Sequence, residues 1–383
     1  MKQILKEIIL KQEKDLFNIT KTLYDNPEIG LEEVKSSKLL VDYLASFGFE
    51  VEYPFIMATG FKGVYKSKKA GPKVAFLCEY DALPLIGHGC GHNMIGTMSI
   101  GASIALKEII DEIGGTIYVF GTPAEENFGG KVKFRDAHVF DDMDVALMLH
   151  PSSSNGIGQK SSALIPVKFD FYGTSAHACN PYNGASALDA AIQTYQGINM
   201  LRQFTKQPSF IHGIVRDGGA AANIIPEHAS LEYYFRSSTM EYAKFLEQRA
   251  KEIASGAAMQ TRCKVEFSYY EEAYEDTKIN YTLASKLKEI YQEIGLTNIE
   301  DVKEEVGGST DIGACSKACP TIQGTIKIVG EEVNGHSREF ACATISEAGK
   351  KALVNGAYAL SLLALEFITN KEFKDQVKEE FNA

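Results

Sequence analysis

Residues 73–84 read KVAFLCEYDALP. A short apolar run closed by Glu79, Asp81 and Pro84 suits a buried strand that feeds a loop. The neighbouring segments support that reading. Residues 93–113, NMIGTMSIGASIALKEIIDEI, have helical apolar spacing, and Gly96, Ser99, Gly101 and Ala102 permit close packing. GTIYVFGTPAEE (115–126) is a second buried strand ending in a turn, and DVALMLHP (144–151) is a third. Strand, helix and strand, with reactive side chains just past the strand ends, is the α/β pattern in which sites gather along one edge of the sheet.

The middle of the chain has a different rhythm. ALIPVKFDFYG (163–173) alternates with the period of a sheet packed on one face. A helix over 184–204 follows, then strands SFIHGIVRDGG (209–219) and ASLEYYFRSS (229–238), a helix over 240–261, and the strand CKVEFSYY (263–270). The order β-α-β-β-α-β is the split βαβ unit of a ferredoxin-like domain. After about residue 275 helices and short apolar strands resume, among them PTIQGTIKIV (320–329). The expected organisation is an α/β domain built from 1–165 and 275–383, with an α+β domain inserted at 166–274.

Composition narrows the function classes. With 383 residues the chain exceeds what one core usually organises. A net charge of −11 disfavours nucleic acid and anionic membrane as partners, since both repel such a surface. The N-terminal stretch MKQILKEIILKQEKDLFNITKTLYDNPE reads as an amphipathic helix with charges throughout, not as a signal peptide. No window is expected to supply the roughly 20 apolar residues that span a bilayer, and VNGAYALSLLALEFI (354–368) reads as a core helix. Seven irregularly spaced cysteines argue against a disulfide framework and for a reducing, cytoplasmic setting. Cys315 and Cys319, four apart, read as small buried apolar residues rather than a metal clip.

The chemistry concentrates at strand ends. HGCGHN (88–93) places Cys90 between His88 and His92; PAEEN (123–127) offers Glu125 and Glu126; His150, His177 and His336 lie in LMLHP, GTSAHACNP and NGHSREF. This mixture of N, O and S donors is what zinc or a related divalent ion accepts. Adjacent ionised carboxylates repel, so one binding a cation while the other handles a proton is a sensible division of labour.

The ordered motifs DALP, GHGCGHN, GTPAEE, LHP, GTSAHA, ANIIPE, GSTDIG and GHSREF run over nearly the whole chain. In them the sequence resembles the metal-dependent aminoacylase and carboxypeptidase family, which includes indoleacetyl-amino-acid hydrolases and N-acyl-amino-acid amidohydrolases. Within it the chain looks most like the β-alanyl-lysine dipeptidases and p-aminobenzoyl-glutamate hydrolases. The resemblance implies a zinc-exopeptidase-like catalytic domain with an inserted ferredoxin-like lid and dimerisation domain. It implies two divalent ions, zinc or manganese with cobalt possible, held by Cys90, His92, Glu126, His150 and His336, with Cys90 bridging. Glu125 would be general base and acid, and Asp81 would orient a liganding imidazole. His177 would stabilise the oxyanion, Asn223 would hold the substrate's backbone or carboxylate, and Arg236 would clamp a terminal carboxylate. The implied substrate is a small N-acyl amino acid or dipeptide, with dipeptidase or carboxypeptidase chemistry in the same site as an alternative, and the implied assembly is a homodimer.

The sequence departs from that family at Gly89, Asn93, Ile95 and Arg338, and His88 has no assigned role. Two other classes compete. One is a thiol hydrolase with Cys90 as nucleophile and His92 or His88 as base; the other is a degenerate relative that binds metal or ligand without catalysis.

Overall fold

The computed structural model describes residues 1–383 as two compact units, one formed by Met1–Lys160 and Thr277–Ala383, the other by Ser161–Asp276. In the first unit α1 (Lys2–Asp25), α2 (Val34–Ser46), β1 (Glu50–Glu52), β2 (Phe61–Lys66) and β3 (Lys73–Cys78) lead to α3 (His92–Ile113). Then come β4 (Thr116–Gly121), α4 (Gly130–Asp136), β5 (Val145–Ser152) and β6 (Asn155–Gly156). The second unit comprises β7 (Ala163–Tyr172), α5 (Ala187–Leu201), β8 (Ser209–Asp217), β9 (His228–Ser237), α6 (Met240–Thr261) and β10 (Lys264–Ser268). The chain returns to the first unit with α7 (Tyr281–Glu293), β11 (Ile299–Glu300), α8 (Ile312–Ala318), β12 (Thr321–Lys327), α9 (Arg338–Ala343), α10 (Glu347–Thr369) and α11 (Lys371–Asn382).

The first unit is mixed α/β. Its eight-stranded sheet runs β1-β2-β4-β3-β5-β12-β6-β11. The central strands β4, β3, β5 and β12 are mutually parallel, so their C-terminal ends share one edge. Alternate residues feed two cores. Val74, Phe76, Val145 and Leu147 join one hydrophobic cluster, while Ala75, Leu77, Ala146 and Met148 join another. That division is why the strands read as unbroken apolar runs: both faces are covered.

Helix α3 packs against β3, β4 and β5 and against α1 and α10. Its small residues make this possible. A Cβ on Gly96 would stand 2.8 Å from the Glu79 carbonyl oxygen, and one on Gly101 would meet Leu16 and Ala357. By length and composition α10 could cross a membrane, which corrects the expectation that no window qualifies; however, 72% of its most apolar window is buried inside the protein. Cys315 and Cys319 are buried, their sulfurs 3.9 Å apart and each near the Thr321 hydroxyl.

The second unit has the order β-α-β-β-α-β and an antiparallel sheet ordered β10-β7-β9-β8. Ala163, Ile165, Val167, Phe169 and Phe171 of β7 enter its core beside α5 and α6. The strand begins at Ala163, ahead of the boundary expected at 166. Leu164 also exchanges two backbone hydrogen bonds of 2.9 Å with Tyr274, an antiparallel bridge that extends the pairing of β7. Ser186 and Thr239 cap α5 and α6 with their side chains.

Gly96→Ala should force α3 away from the backbone of residue 79 and cost roughly 1–3 kcal/mol, the usual penalty of overpacking. Urea unfolding should show a lower midpoint with unchanged slope.

Candidate metal centre

The parallel strands deliver their loops to one edge, and specific backbone bonds draw the loops together. Gly91 has φ +83°, and a Cβ there would stand 2.3 Å from Pro151, so only glycine lets the Cys90 loop close on the His150 strand. The His336 amide donates to the Gly89 carbonyl at 2.9 Å, tying the two loops. His336 itself is held at φ +58° and Ala124 at φ +62°, left-handed backbone that a non-glycine residue adopts only when its surroundings enforce it. For Ala124 the enforcing group is Glu33, whose carboxylate accepts from the Ala124 amide at 2.8 Å and from the Thr59 hydroxyl at 2.9 Å. Burial pushes the Glu33 carboxyl up to about 7.

Cys90, His92, Glu125, Glu126, His150 and His336 converge. Donor atoms of Cys90, His92 and His150 lie within 4.8 Å of one another, and so do those of Cys90, Glu126 and His336. Cys90 is common to both groups. Asp81 fixes the arrangement: its Oδ1 accepts from His92 Nδ1 at 2.9 Å and its Oδ2 from the Glu126 amide at 3.0 Å. His150 Nδ1 donates to the Pro151 carbonyl at 2.6 Å. In both histidines Nε2 is thereby left as the lone-pair nitrogen.

These residues fit a metal. His92 Nε2 and Glu126 Oε1 are buried and have no hydrogen-bond partner. Buried polar atoms are rarely left so. Donors about 2.0–2.3 Å from one tetrahedral ion stand about 3.3–3.6 Å apart. Cys90 Sγ and His150 Nε2 are separated by 3.5 Å, and Glu126 Oε1 and His336 Nε2 by 3.4 Å.

The electrostatics carry the same message. Burial, with Glu126 and Glu125 nearby, holds the Cys90 thiol well above its ordinary range, so a thiolate there requires strong positive charge. Burial also raises the Glu125 carboxyl well above the carboxylate range, reinforced by Asp311 and Glu79. Burial opposes charge on His92, but Asp81, Cys90 and Glu79 outweigh it and raise its proton affinity.

Three groups beside the cluster escaped the sequence reading: Glu79, Lys131 and Asp311. The Lys131 ammonium, fully buried, bonds to Glu79 Oε1 and to Asp311 Oδ1, the latter at 2.7 Å; Asp311 Oδ2 also accepts from the Lys131 amide at 2.9 Å. The signal was the GGK of 129–131 and the GSTD of 308–311, but charged residues far apart in sequence do not announce a buried triad.

The remaining expected residues lie elsewhere. His88 is buried outside the cluster; the Leu23 carbonyl is near it, but neither ring nitrogen forms a hydrogen bond of ordinary geometry. Burial and the neighbouring His92 push its pKa down to about 3, so it is neutral. Arg338 opens α9 and lines a cavity of about 600 Å³ with Tyr24, Leu83 and His88. Asn93 is a structural residue, donating to the Thr20 carbonyl and the Thr344 hydroxyl. His177, Asn223 and Arg236 belong to the second unit. There His177 pairs with Ile224, the Ala178 amide donates to the Asn223 carbonyl at 3.0 Å, and Arg236 lies over the Tyr234 ring.

Because Asp81 fixes both the His92 ring and the loop that carries Glu126, Asp81→Ala should weaken metal affinity by about 10–100-fold. Equilibrium dialysis against zinc would measure it; unchanged affinity would refute the orienting role.

Comparison with known proteins agrees with this chemistry. The model of peptidase family M20/M25/M40 matches residues 79–365. The mouse Xaa-Arg dipeptidase is 33% identical over 379 residues, covering 95% of this chain and 88% of its own length. The human Xaa-Arg dipeptidase is 30% identical over 388 residues, with the same coverage of 95% and 88%. One of the polypeptides of the Escherichia coli p-aminobenzoyl-glutamate hydrolase is 33% identical over 278 residues, 65% of this chain and 56% of that polypeptide. A dinuclear metal-binding M20 peptidase from Bacillus subtilis shares the fold with a TM-score of 0.66 at 19% identity, covering 92% of this chain and 98% of the other. With a family match across most of its length and a donor cluster suited to cations, the chain belongs to peptidase family M20/M25/M40 and is a metal-dependent hydrolase.

Proposed function

We propose that the protein hydrolyses the amide bond of small N-acyl amino acids or dipeptides bearing a free carboxylate, using two divalent ions, zinc or manganese, with cobalt able to substitute. The observation that carries this reading is the pair of donor groups sharing Cys90. Cys90, His92 and His150 would hold one ion and Cys90, Glu126 and His336 the other. When bound, such ions lower the pKa of a water from about 15.7 towards 7 and polarise a carbonyl oxygen.

The chain's own groups do the rest. Glu125, whose proton affinity burial raises, would in its ionised form take the proton of the attacking water and deliver it to the amine nitrogen as the C–N bond breaks. Asp81 keeps the His92 ring in its working orientation throughout. From the second unit, which we assign as lid and dimerisation module, His177 would donate to the oxyanion. Its exposed ring sits on a segment bonded to the turn that carries Asn223 and Ile224. Asn223 would hold the substrate's carboxylate, and Arg236 would clamp it with its planar guanidinium. Seven free cysteines suit a reducing, cytoplasmic setting.

The substrate class draws on relatives named for Xaa-Arg dipeptides and p-aminobenzoyl-glutamate. The thiol-hydrolase alternative is disfavoured because burial raises the Cys90 thiol and leaves the surrounding donors unused. The non-catalytic alternative leaves Glu125 without a task.

Chelation should abolish hydrolysis and added metal restore it. Glu125→Gln should retain both ions yet lose about 10²–10⁴-fold in kcat, the range of general acid–base catalysis. Metal analysis beside kinetics decides, and full activity in that variant would end the mechanism. Arg236→Ala should raise KM at least tenfold for carboxylated substrates and leave amidated analogues unaffected, as loss of a charged hydrogen bond requires. A panel of N-acyl amino acids, β-alanyl dipeptides and aminobenzoyl-glutamate, with products identified by mass, checks the substrate class.

A further inference from the structure

Residues 26–33, between α1 and α2, belong to neither helix, yet they are bonded to two of the loops that carry the centre. The Ala82 amide, next to Asp81, donates to the Glu28 carbonyl at 2.9 Å. After β4, the two residues that flank Glu125 and Glu126 are both engaged. The Ala124 amide donates to Glu33 Oε1 at 2.8 Å, and the Asn127 side-chain amide donates to the Gly30 carbonyl at 3.3 Å. The fit is close: a Cβ on Gly30 would stand 2.1 Å from Asn127 Oδ1 and 2.9 Å from the Ala124 Cα. The segment is itself anchored, because the Glu28 carboxylate accepts from the amide and the hydroxyl of Ser36 in the first turn of α2, each at 2.8 Å.

Glu33 is the anomaly in this segment. It is fully buried and forms no ion pair with an ammonium or guanidinium. An isolated buried carboxylate is costly, and a leucine of similar size would avoid that cost. Both Glu33 oxygens are occupied. One accepts from Ala124; the other accepts from the Thr59 hydroxyl at 2.9 Å, and the Thr59 carbonyl accepts from the buried Tyr80 hydroxyl at 2.6 Å. The carboxylate is thus fixed from one side and directed at a single backbone N–H. That N–H belongs to a residue held at φ +62°, where alanine is disfavoured. Ala124 immediately precedes Glu125, so its backbone angles decide where the Glu125 side chain starts.

We propose that Glu33 is a positioning residue for hydrolysis: its carboxylate holds the Ala124 peptide in the left-handed turn and so directs the Glu125 side chain at the donor cluster. The assignment rests on the reading of Glu125 as base and deepens it. Glu126 has a second fastening, since its own amide donates to Asp81 Oδ2 at 3.0 Å. Releasing Ala124 therefore displaces Glu125 more than Glu126, and proton transfer suffers while metal binding stays.

Kinetics beside metal analysis test this, with the panel substrate that the wild type turns over fastest. Glu33→Leu, which removes the acceptor, should lower kcat by about 10–100-fold with KM within about twofold, the scale of a displacement of about 1 Å at a reacting group. It should keep the same metal content as the wild type. Glu33→Gln, which still offers an oxygen to the Ala124 amide, should stay within about fivefold of wild-type kcat, a neutral acceptor replacing a charged one. Glu33→Leu combined with Ala124→Gly should recover most of the loss, because glycine adopts the positive φ unaided. A residue that only stabilises the fold would give a loss that neither replacement relieves. Amide hydrogen exchange gives a readout independent of turnover: in Glu33→Leu the Ala124 amide should exchange at least about tenfold faster, and the Glu126 amide at the wild-type rate. Should Glu33→Leu fail to fold, Glu33→Asp, which withdraws the carboxylate by one methylene, should show the same fall in kcat and the same faster exchange. Three results would overturn the assignment: kcat within about twofold of wild type in whichever variant folds, a fall that neither Glu33→Gln nor Ala124→Gly relieves, or a fall that follows lost metal. Full activity in Glu125→Gln would instead end the base reading, a result that does not involve Glu33. A wild type inactive across the panel would end the hydrolase reading, and the exchange rates would still decide whether Glu33 holds Ala124.

Discussion

A single carboxylate holds the centre together. Asp81 spends one oxygen on the His92 ring and the other on the Glu126 backbone, so a donor from the start of α3 and a donor from the loop after β4 are referred to the same rigid point. Neither bond is exposed to water that could compete, since Asp81 and His92 are both buried. The point is rigid because Asp81 lies just past β3, a strand paired on both sides and packed on both faces. Imidazole tautomer, carboxylate direction and loop position thus follow from one residue placed past the end of one strand.

Around that point the protein accumulates negative charge that it could not bury alone. Glu79, Asp81, Glu126 and Asp311 crowd a region in which Lys131 is the buried ammonium. Breaking a buried ion pair by removing one partner typically costs about 3–5 kcal/mol, whereas cations at the donor cluster would supply the missing positive charge. Ions bound there would also give partners to His92 Nε2 and Glu126 Oε1, which are buried without a hydrogen bond, and would so couple metal binding to the folding of this corner.

Much of this was readable in the sequence, for identifiable reasons. Unbroken apolar runs such as 73–78 and 145–149 announce strands covered on both faces, and β-α-β-β-α-β is unmistakable once strands and helices are marked. The donors were readable because cysteine, histidines and paired glutamates occur together at successive strand ends, in motifs ordered as in the resembling family. The buried triad was not readable. Lys131 and Glu79 look like ordinary surface charges in a linear string, and their pairing with Asp311 depends on α4 and the loop before α8 meeting over the sheet. His88 was ambiguous for a related reason: spacing placed it in the metal loop, but a ring's direction is set by packing. Helix α10, by contrast, was legible as a core helix from its apolar spacing, and its contacts are those of one although its composition would also suit a membrane span.

The order of strands in the central sheet has a consequence for biosynthesis. Strand β5 pairs on one side with β3, already made, and on the other with β12, whose residues 321–327 emerge only after the whole second unit. During translation β5 therefore presents a bare apolar edge carrying His150, while the second unit, contiguous in sequence, has everything it needs to assemble. Such an edge invites pairing with other chains. The nascent polypeptide is thus most vulnerable in the interval between making the first residues of the donor cluster and the last, His336.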